Sequence, residues 1–229
     1  MKTSRLLCVV LFLFFAHSNT HAQKNKIKSI IEKYFHAIGG EERAKQIQSF
    51  SSEAVGNLND TQIILKQKMM LPNMYFTSME LGGKLISQST FDGQQGIILQ
   101  QSDEIPFSKE ELKRHKKNRS IFPEFDYLKT AKYIGIEKVE QSDCHVLKID
   151  NTKVYYSVDS GLKRKGVSIQ EKDGTTFLQQ LFFGNYVEIE GLLFPTNLLM
   201  VAGKNKIDFQ TKSILINRDV SKEDFLIKN

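Results

Sequence analysis

A mainly β fold with an N-terminal helix is what this sequence predicts, and three observations predict it. Apolar residues recur with a helical period up to Ile47 and with a period of two from Ser49 onward. Pairs such as Asp92-Gly93, Gly82-Gly83 and Asp173-Gly174 separate the alternating runs, and such pairs supply the positive φ angles that tight hairpins need. Strands and helices never alternate, which excludes the doubly wound nucleotide-binding sheets. The expectation is about a dozen short strands in a largely antiparallel meander.

The first element is an export signal over residues 1–22. Lys2 and Arg5 precede an unbroken apolar run, Leu6–Ala16, and Thr20-His21-Ala22 before Gln23 has the small-residue pattern of a cleavage site. The run is too short to cross a bilayer, which takes about 20 residues, and no later stretch is long and apolar enough to do so. Cleavage leaves residues 23–229 as one domain, lowers the net charge from +6 to +4 and leaves Cys144 as the sole cysteine. One cysteine forms no internal disulfide, so burial alone must hold the domain together.

Ile27, Ile30, Ile31, Tyr34, Phe35 and Ile38 form the stripe of an amphipathic helix. Gly39-Gly40 ends it, and Glu41–Ile47 reads as a second, short helix. Strands are then expected at Phe50–Asn57, Gln62–Leu71, Met74–Leu81, Lys84–Phe91 and Gly96–Gln100. After a helical interruption they resume at Tyr133–Val139, His145–Asp150, Val154–Val158, Lys163–Gln170, Thr176–Glu188, Leu193–Ala202 and Ile207–Ile216. The interruption, Phe107–Arg119, opens with Ser108 and Glu111 at capping-box spacing. It sets Lys109, Lys113, Arg114, Lys116, Lys117 and Arg119 against Glu110 and Glu111, a local charge of +4 equal to that of the whole cleaved chain. Lys113, Arg114, Lys116 and Lys117 are either a solvated face or a patch for an acidic partner or anionic headgroup. No nucleic-acid motif accompanies them.

No catalytic residue and no metal site is legible in the sequence. His36, His115 and His145 fall in no metal-binding spacing, and a single cysteine excludes thiolate zinc sites. Cys144 and His145 are neighbours in sequence, but in a strand they point to opposite faces. Nucleophile elbows, Walker loops and dinucleotide fingerprints are all missing. No cofactor is implied, and the pattern favours a binding protein over an enzyme.

Strand parity supplies the candidate site. Ile63, Leu65 and Met69 share one face, and Tyr75, Met79 and Leu81 continue it. Phe177, Leu181 and Phe183 share a face, as do Met200 with Ala202 and Phe209 with Leu215. A curved sheet with one apolar face must cover it with helices, a partner or a ligand. The helical segments are few for so much strand, and methionine adapts to irregular shapes such as acyl chains. A ligand cavity and an ordinary dry core both fit this pattern.

Six stretches carry a family resemblance: YFHAIGGEERAKQIQSF (34–50), TFDGQQGI (90–97), FPEFDYLK (122–129), VYYSVDSGLKRK (154–165), GNYVEIEGLLFPTN (184–197) and IDFQTKSILIN (207–217). With these the chain resembles the outer-membrane lipoprotein-sorting (LolA/LolB-like) superfamily. The nearest type is the exported Gram-negative one, also found attached to insulinase-like zinc peptidases. The resemblance implies an incomplete antiparallel β-barrel of about eleven strands, helices over its concave face, and a periplasmic location. It also implies an apolar cavity that receives acyl chains. Three hypotheses follow. The first is a periplasmic, non-catalytic binder of lipid or lipoprotein acyl chains. The second is an accessory protein docking onto an exported peptidase or envelope complex. The third is an enzyme with an unrecognised site.

Overall fold

A computed structural model describes residues 22–100, 103–117, 121–172 and 175–227. The export signal expected over 1–22 lies, Ala22 apart, outside the described residues.

Helix α1 (22–38) buries its whole apolar stripe, from Ile27 to Ile38. Burying side chains of this size contributes about 1.5–3 kcal/mol each, so α1 anchors the fold. Its C-terminus turns at Gly39, where φ is +116° and a Cβ would stand 2.2 Å from the Gly191 carbonyl oxygen. Only glycine permits that approach. Helix α2 (Glu41–Lys45) follows and is shorter than the sequence reading had it, although Ile47 beyond it is buried.

Strands β1 (Ser49–Leu58), β2 (Thr61–Met70), β3 (Met74–Leu81), β4 (Lys84–Phe91), β5 (Gly96–Gln100) and β6 (Asp103–Pro106) form the first half of the sheet. The second half is β7 (Lys132–Val139), β8 (Ser142–Ile149), β9 (Thr152–Ser157), β10 (Lys163–Lys172), β11 (Thr175–Ile189), β12 (Leu192–Ala202) and β13 (Asn205–Ile216). Together they make one 13-stranded antiparallel sheet in the order β6-β5-β4-β3-β2-β1-β13-β12-β11-β10-β9-β8-β7. The first and last strands pair in the middle, and β6 and β7 are the edges. The sheet therefore stays an open, incomplete barrel.

Strand β6 was not anticipated. Asp-Glu-Ile-Pro offers no alternation, all four residues are exposed, and Pro106 suits an edge that needs no further donor. Between the two edges run α3 (Lys109–Lys117), a 3₁₀ turn (Pro123–Asp126) and α4 (Tyr127–Thr130). The last two are single turns, too short to show a period. The capping box of α3 is present: the Ser108 amide donates to Glu111 Oε2 (2.7 Å), and the Glu111 amide donates to Ser108 Oγ (3.2 Å). One face assignment changes. A bulge at Lys212 shifts the parity of β13, so Phe209 shares its face with Ile214 and Ile216 and not with Leu215.

The main core lies under α1, where Ile27, Ile38, Tyr34 and Phe35 meet Leu147, Val154, Tyr156, Leu192, Phe194 and Ile216. The segment between the edges closes it. Phe125 stacks on Phe35 at 4.5 Å, and Phe122 packs edge-on to Phe35 at 6.1 Å.

Candidate ligand-binding site

The concave face divides into two parts. At one end α1 makes a dry core. At the other, Ala54, Ile63, Ile207 and Phe209 form a second cluster with Leu58, Leu65, Met79, Leu81, Leu198 and Met200, the last six only partly buried. Register holds these side chains on one face: Ala54 opposes Leu65, Leu65 opposes Met79, Ile63 opposes Leu81, and Met200 opposes both Ile207 and Leu181. Phe183 opposes Leu198 in the same ladder. Neither α1 nor α2 contributes to this cluster.

Met69 and Tyr75 stand further along β2 and β3. With Gln67, Met74, Thr77 and Ser89 they line a cavity of about 330 Å³, roofed by His115 of α3. Helix α3 reaches this place through Phe107, whose ring lies parallel to Phe91 (6.1 Å, 6° between planes). Gly96 makes room, since a Cβ there would sit 2.1 Å from that ring. The His115 ring packs against Tyr75, Phe107 and Phe91 at 4.9, 5.2 and 5.6 Å. Tyr75 Oη lies 3.0 Å from Ser89 Oγ and 3.5 Å from His115 Nε2. Burial, reinforced by the Arg114 charge, holds the imidazole of His115 below its usual pKa.

The opposite side of α3 borders a larger hollow of about 660 Å³. Glu110, Lys113, Arg114 and Lys117 face it at i, i+3, i+4 and i+7, while Pro123, Asp126, Tyr127, Thr130, Ile149 and Asp150 form the other wall and floor. Of the four cations singled out in the sequence, Lys113, Arg114 and Lys117 meet there, and Lys116 lies off that stripe.

A polar node ties the covering segment to the sheet. Glu124 is fully buried, 2.5 Å from Lys163 Nζ, and accepts a hydrogen bond from Tyr156 Oη at 2.9 Å. Its other oxygen, Oε2, has no partner among the described residues. Lys163 Nζ also lies 5.5 and 5.7 Å from the ring centres of Tyr34 and Phe183. Burial, then the Glu124 charge, pushes the Tyr34, Tyr127 and Tyr186 hydroxyls up.

No family model and no curated protein matches the sequence. Solved structures do match. A LolA superfamily protein of Nitrosomonas europaea superposes with a TM-score of 0.53 at 12% identity, over 87% of this chain and 97% of that one. A DUF1329 family protein of Desulfovibrio piger gives 0.54 at 13% identity, over the same shares. This chain has the LolA-like fold.

Within the LolA-like fold, the sequence-derived residues fall into three groups. Ile63, Leu65, Met79, Leu81, Met200 and Phe209 come together in the open cluster, with Leu181 joined to it through Met200. Met69 and Tyr75 line the smaller cavity, and Phe183 stands at the boundary beside Lys163. Phe177 belongs to β11, but its side chain lies outside the described residues. Sequence reasoning missed the polar groups. Parity alone places Thr77 with Tyr75, but nothing local marked Asp126, Asp150 or Glu124. The Cys144 and His145 side chains do point to opposite faces: Cys144 is buried with Val146 and Tyr155, while His145 meets Tyr133 Oη and Lys26 Nζ, each at 3.4 Å. Burial pushes the Cys144 thiol up, away from a reactive thiolate. Among the described residues no cluster of His, Cys, Asp and Glu could hold a metal, and no helix is long and apolar enough to cross a membrane.

Proposed function

We propose that this protein is an exported, periplasmic, non-catalytic carrier that holds the acyl chains of a lipid or lipoprotein on the uncovered part of its concave face. One observation carries the proposal. The apolar rows of β1–β3 and β11–β13 continue past the end of the dry core and remain partly exposed, next to a cavity roofed by α3. Ile63, Leu65, Met69, Tyr75, Met79, Leu81, Phe177, Leu181, Phe183, Met200 and Phe209 are the proposed lining. Each methylene that leaves water on binding contributes about 0.8 kcal/mol, so a long chain gains its affinity from area alone. Native mass spectrometry of protein recovered from the periplasm tests this: lipid bound to a chain beginning at Gln23 supports it. An intact leader would refute the exported location. Ligand-free protein that also ignores a fluorescent fatty acid would refute the carrier.

A second reading has its own observation. Edge strand β7 exposes Ile134 and Ile136, at 47% and 54%, and an apolar open edge suits strand addition by an envelope protein or an exported peptidase. A stable complex with such a protein that forms without lipid would favour this reading over the carrier.

A further inference from the structure

The hollow beside α3 has walls of opposite charge. On the helix side stand Lys113, Arg114 and Lys117, opposed within their own stripe only by Glu110. On the far side stand Asp126, at the join of the 3₁₀ turn and α4, and Asp150, in the β8–β9 turn. Lys129 comes within 3.9 Å of Asp126, too far for a hydrogen bond, and its side chain is 82% exposed, so it does little to neutralise that wall. Asp150 has no ion pair among the described residues. Between the walls the lining is apolar, with Pro123, Tyr127 and Ile149.

A purely anionic headgroup would satisfy the cations and leave two carboxylates facing it. A purely cationic group would do the reverse. These side chains are exposed or half-exposed, so the difference is one of attraction and repulsion: a group of single sign is drawn to one wall and repelled by the other. A group carrying both signs a few bonds apart satisfies both walls at once. We infer that this hollow takes the zwitterionic headgroup of a phospholipid, with the phosphate against Lys113, Arg114 and Lys117 and the ammonium against Asp126 and Asp150. The inference rests on the lipid-carrier reading and names the lipid class. The hollow's 660 Å³ falls within the usual span of small-molecule sites, about 300–1,000 Å³. Tyr127 and Ile149 give the first carbons of the lipid an apolar surface to leave on.

The test uses the cleaved full-length protein and two soluble lipids that differ only in headgroup, dihexanoyl phosphatidylethanolamine and dihexanoyl phosphatidylglycerol. Both are titrated calorimetrically below their micelle concentrations. The ethanolamine lipid is expected to bind roughly tenfold tighter, about 1.4 kcal/mol. Asp126→Asn with Asp150→Asn, which keeps side-chain shape, should bring the two lipids within about twofold of each other. Arg114→Ser with Lys117→Ser should weaken both by roughly tenfold. Equal affinities in the unaltered protein, or a preference that survives the double Asn change, would overturn the inference. A fluorescent fatty acid, which lacks both headgroups, is titrated in parallel. If it binds while the two phospholipids are indistinguishable, only the headgroup inference falls. If nothing binds, the carrier reading falls with it.

Discussion

Replacing Glu124 by Gln removes the fully buried charge of its ion pair with Lys163 and keeps the shape of the side chain. The Gln carbonyl can still accept from Tyr156 Oη, so the loss centres on Lys163, whose ammonium now stands 2.5 Å from a neutral amide. Breaking a buried ion pair by removing one partner costs about 3–5 kcal/mol. The low end applies here, because the Lys163 side chain keeps 19% of its exposure and has the faces of Tyr34 and Phe183 beside it. The expected loss is therefore about 3 kcal/mol, a fall of roughly 6–12 °C in Tm for a domain of this size. Lys163→Met should cost more, because it strands a carboxylate that has no water access. The double variant Glu124→Gln with Lys163→Met should recover most of the loss, since a neutral, packed pair avoids the desolvation cost. Urea unfolding of the three variants completes the cycle. Single losses below about 1 kcal/mol that simply add in the double variant would show that the node does not fasten the segment 121–130 to the sheet.

Three further outcomes are expected. Leu181→Asp should abolish fatty-acid binding yet lower stability by only about 1–3 kcal/mol, because water reaches this half-buried position. Leu147→Asp, in the dry core under α1, should prevent folding; equal stability losses in thermal unfolding would contradict the division of the concave face. His115 has its pKa depressed in the folded state by burial and Arg114, so the unfolded chain binds the proton more readily. Its contribution is complete above the unfolded value of about 6.5 and is lost as pH falls below that toward the folded one. The urea midpoint should drop on acidification, and His115→Phe should reduce the drop without abolishing it, because burial also lowers the pKa of His145; an unchanged pH slope would remove His115 from the account. Changing Lys113, Arg114, Lys116 and Lys117 together to Ser should slow association with anionic vesicles at low salt and leave the high-salt rate alone, and a stopped-flow rate indifferent to the change would make α3 a solvated face.

Strand and helix periods made the sheet and α1 legible, since both bury one face along many residues. Parity also brought Leu65, Met79 and Met200 onto a common face without knowledge of pairing. It failed at Phe209, because the bulge at Lys212 leaves no trace in hydropathy. It had nothing to work with at β6 or in the single turns at 123–130, where too few residues exist for a period. The capping box found the start of α3, but no feature of a nine-residue polar helix says which side meets the sheet. That depended on Phe107 finding the space over Gly96, a contact fixed by the β5 backbone. Asp126 and Asp150 share a wall only because the 3₁₀ turn and the β8–β9 turn fold toward α3, a juxtaposition with no local signature.

The pairing of β1 with β13 explains how the concave face can be half dry and half open. Closing the chain on itself in the middle of the sheet leaves β6 and β7 as the edges, while α1 packs on side chains of β8, β9, β12 and β13. Of the two edges, β6 then carries little of the stability, whereas β7 buries Val139. Strand β6 has four exposed residues, and α3 buries none of its own. What holds α3 in place is an aromatic contact at each end of its approach, Phe107 on Phe91 and His115 on Tyr75. Such contacts contribute on the order of 1 kcal/mol each beyond their area. An element fastened this lightly over a cavity contributes little to the central ladders, so its removal should leave them intact. On the carrier reading proposed above, the fold thus combines a buried core under α1 with a lightly held cover at α3.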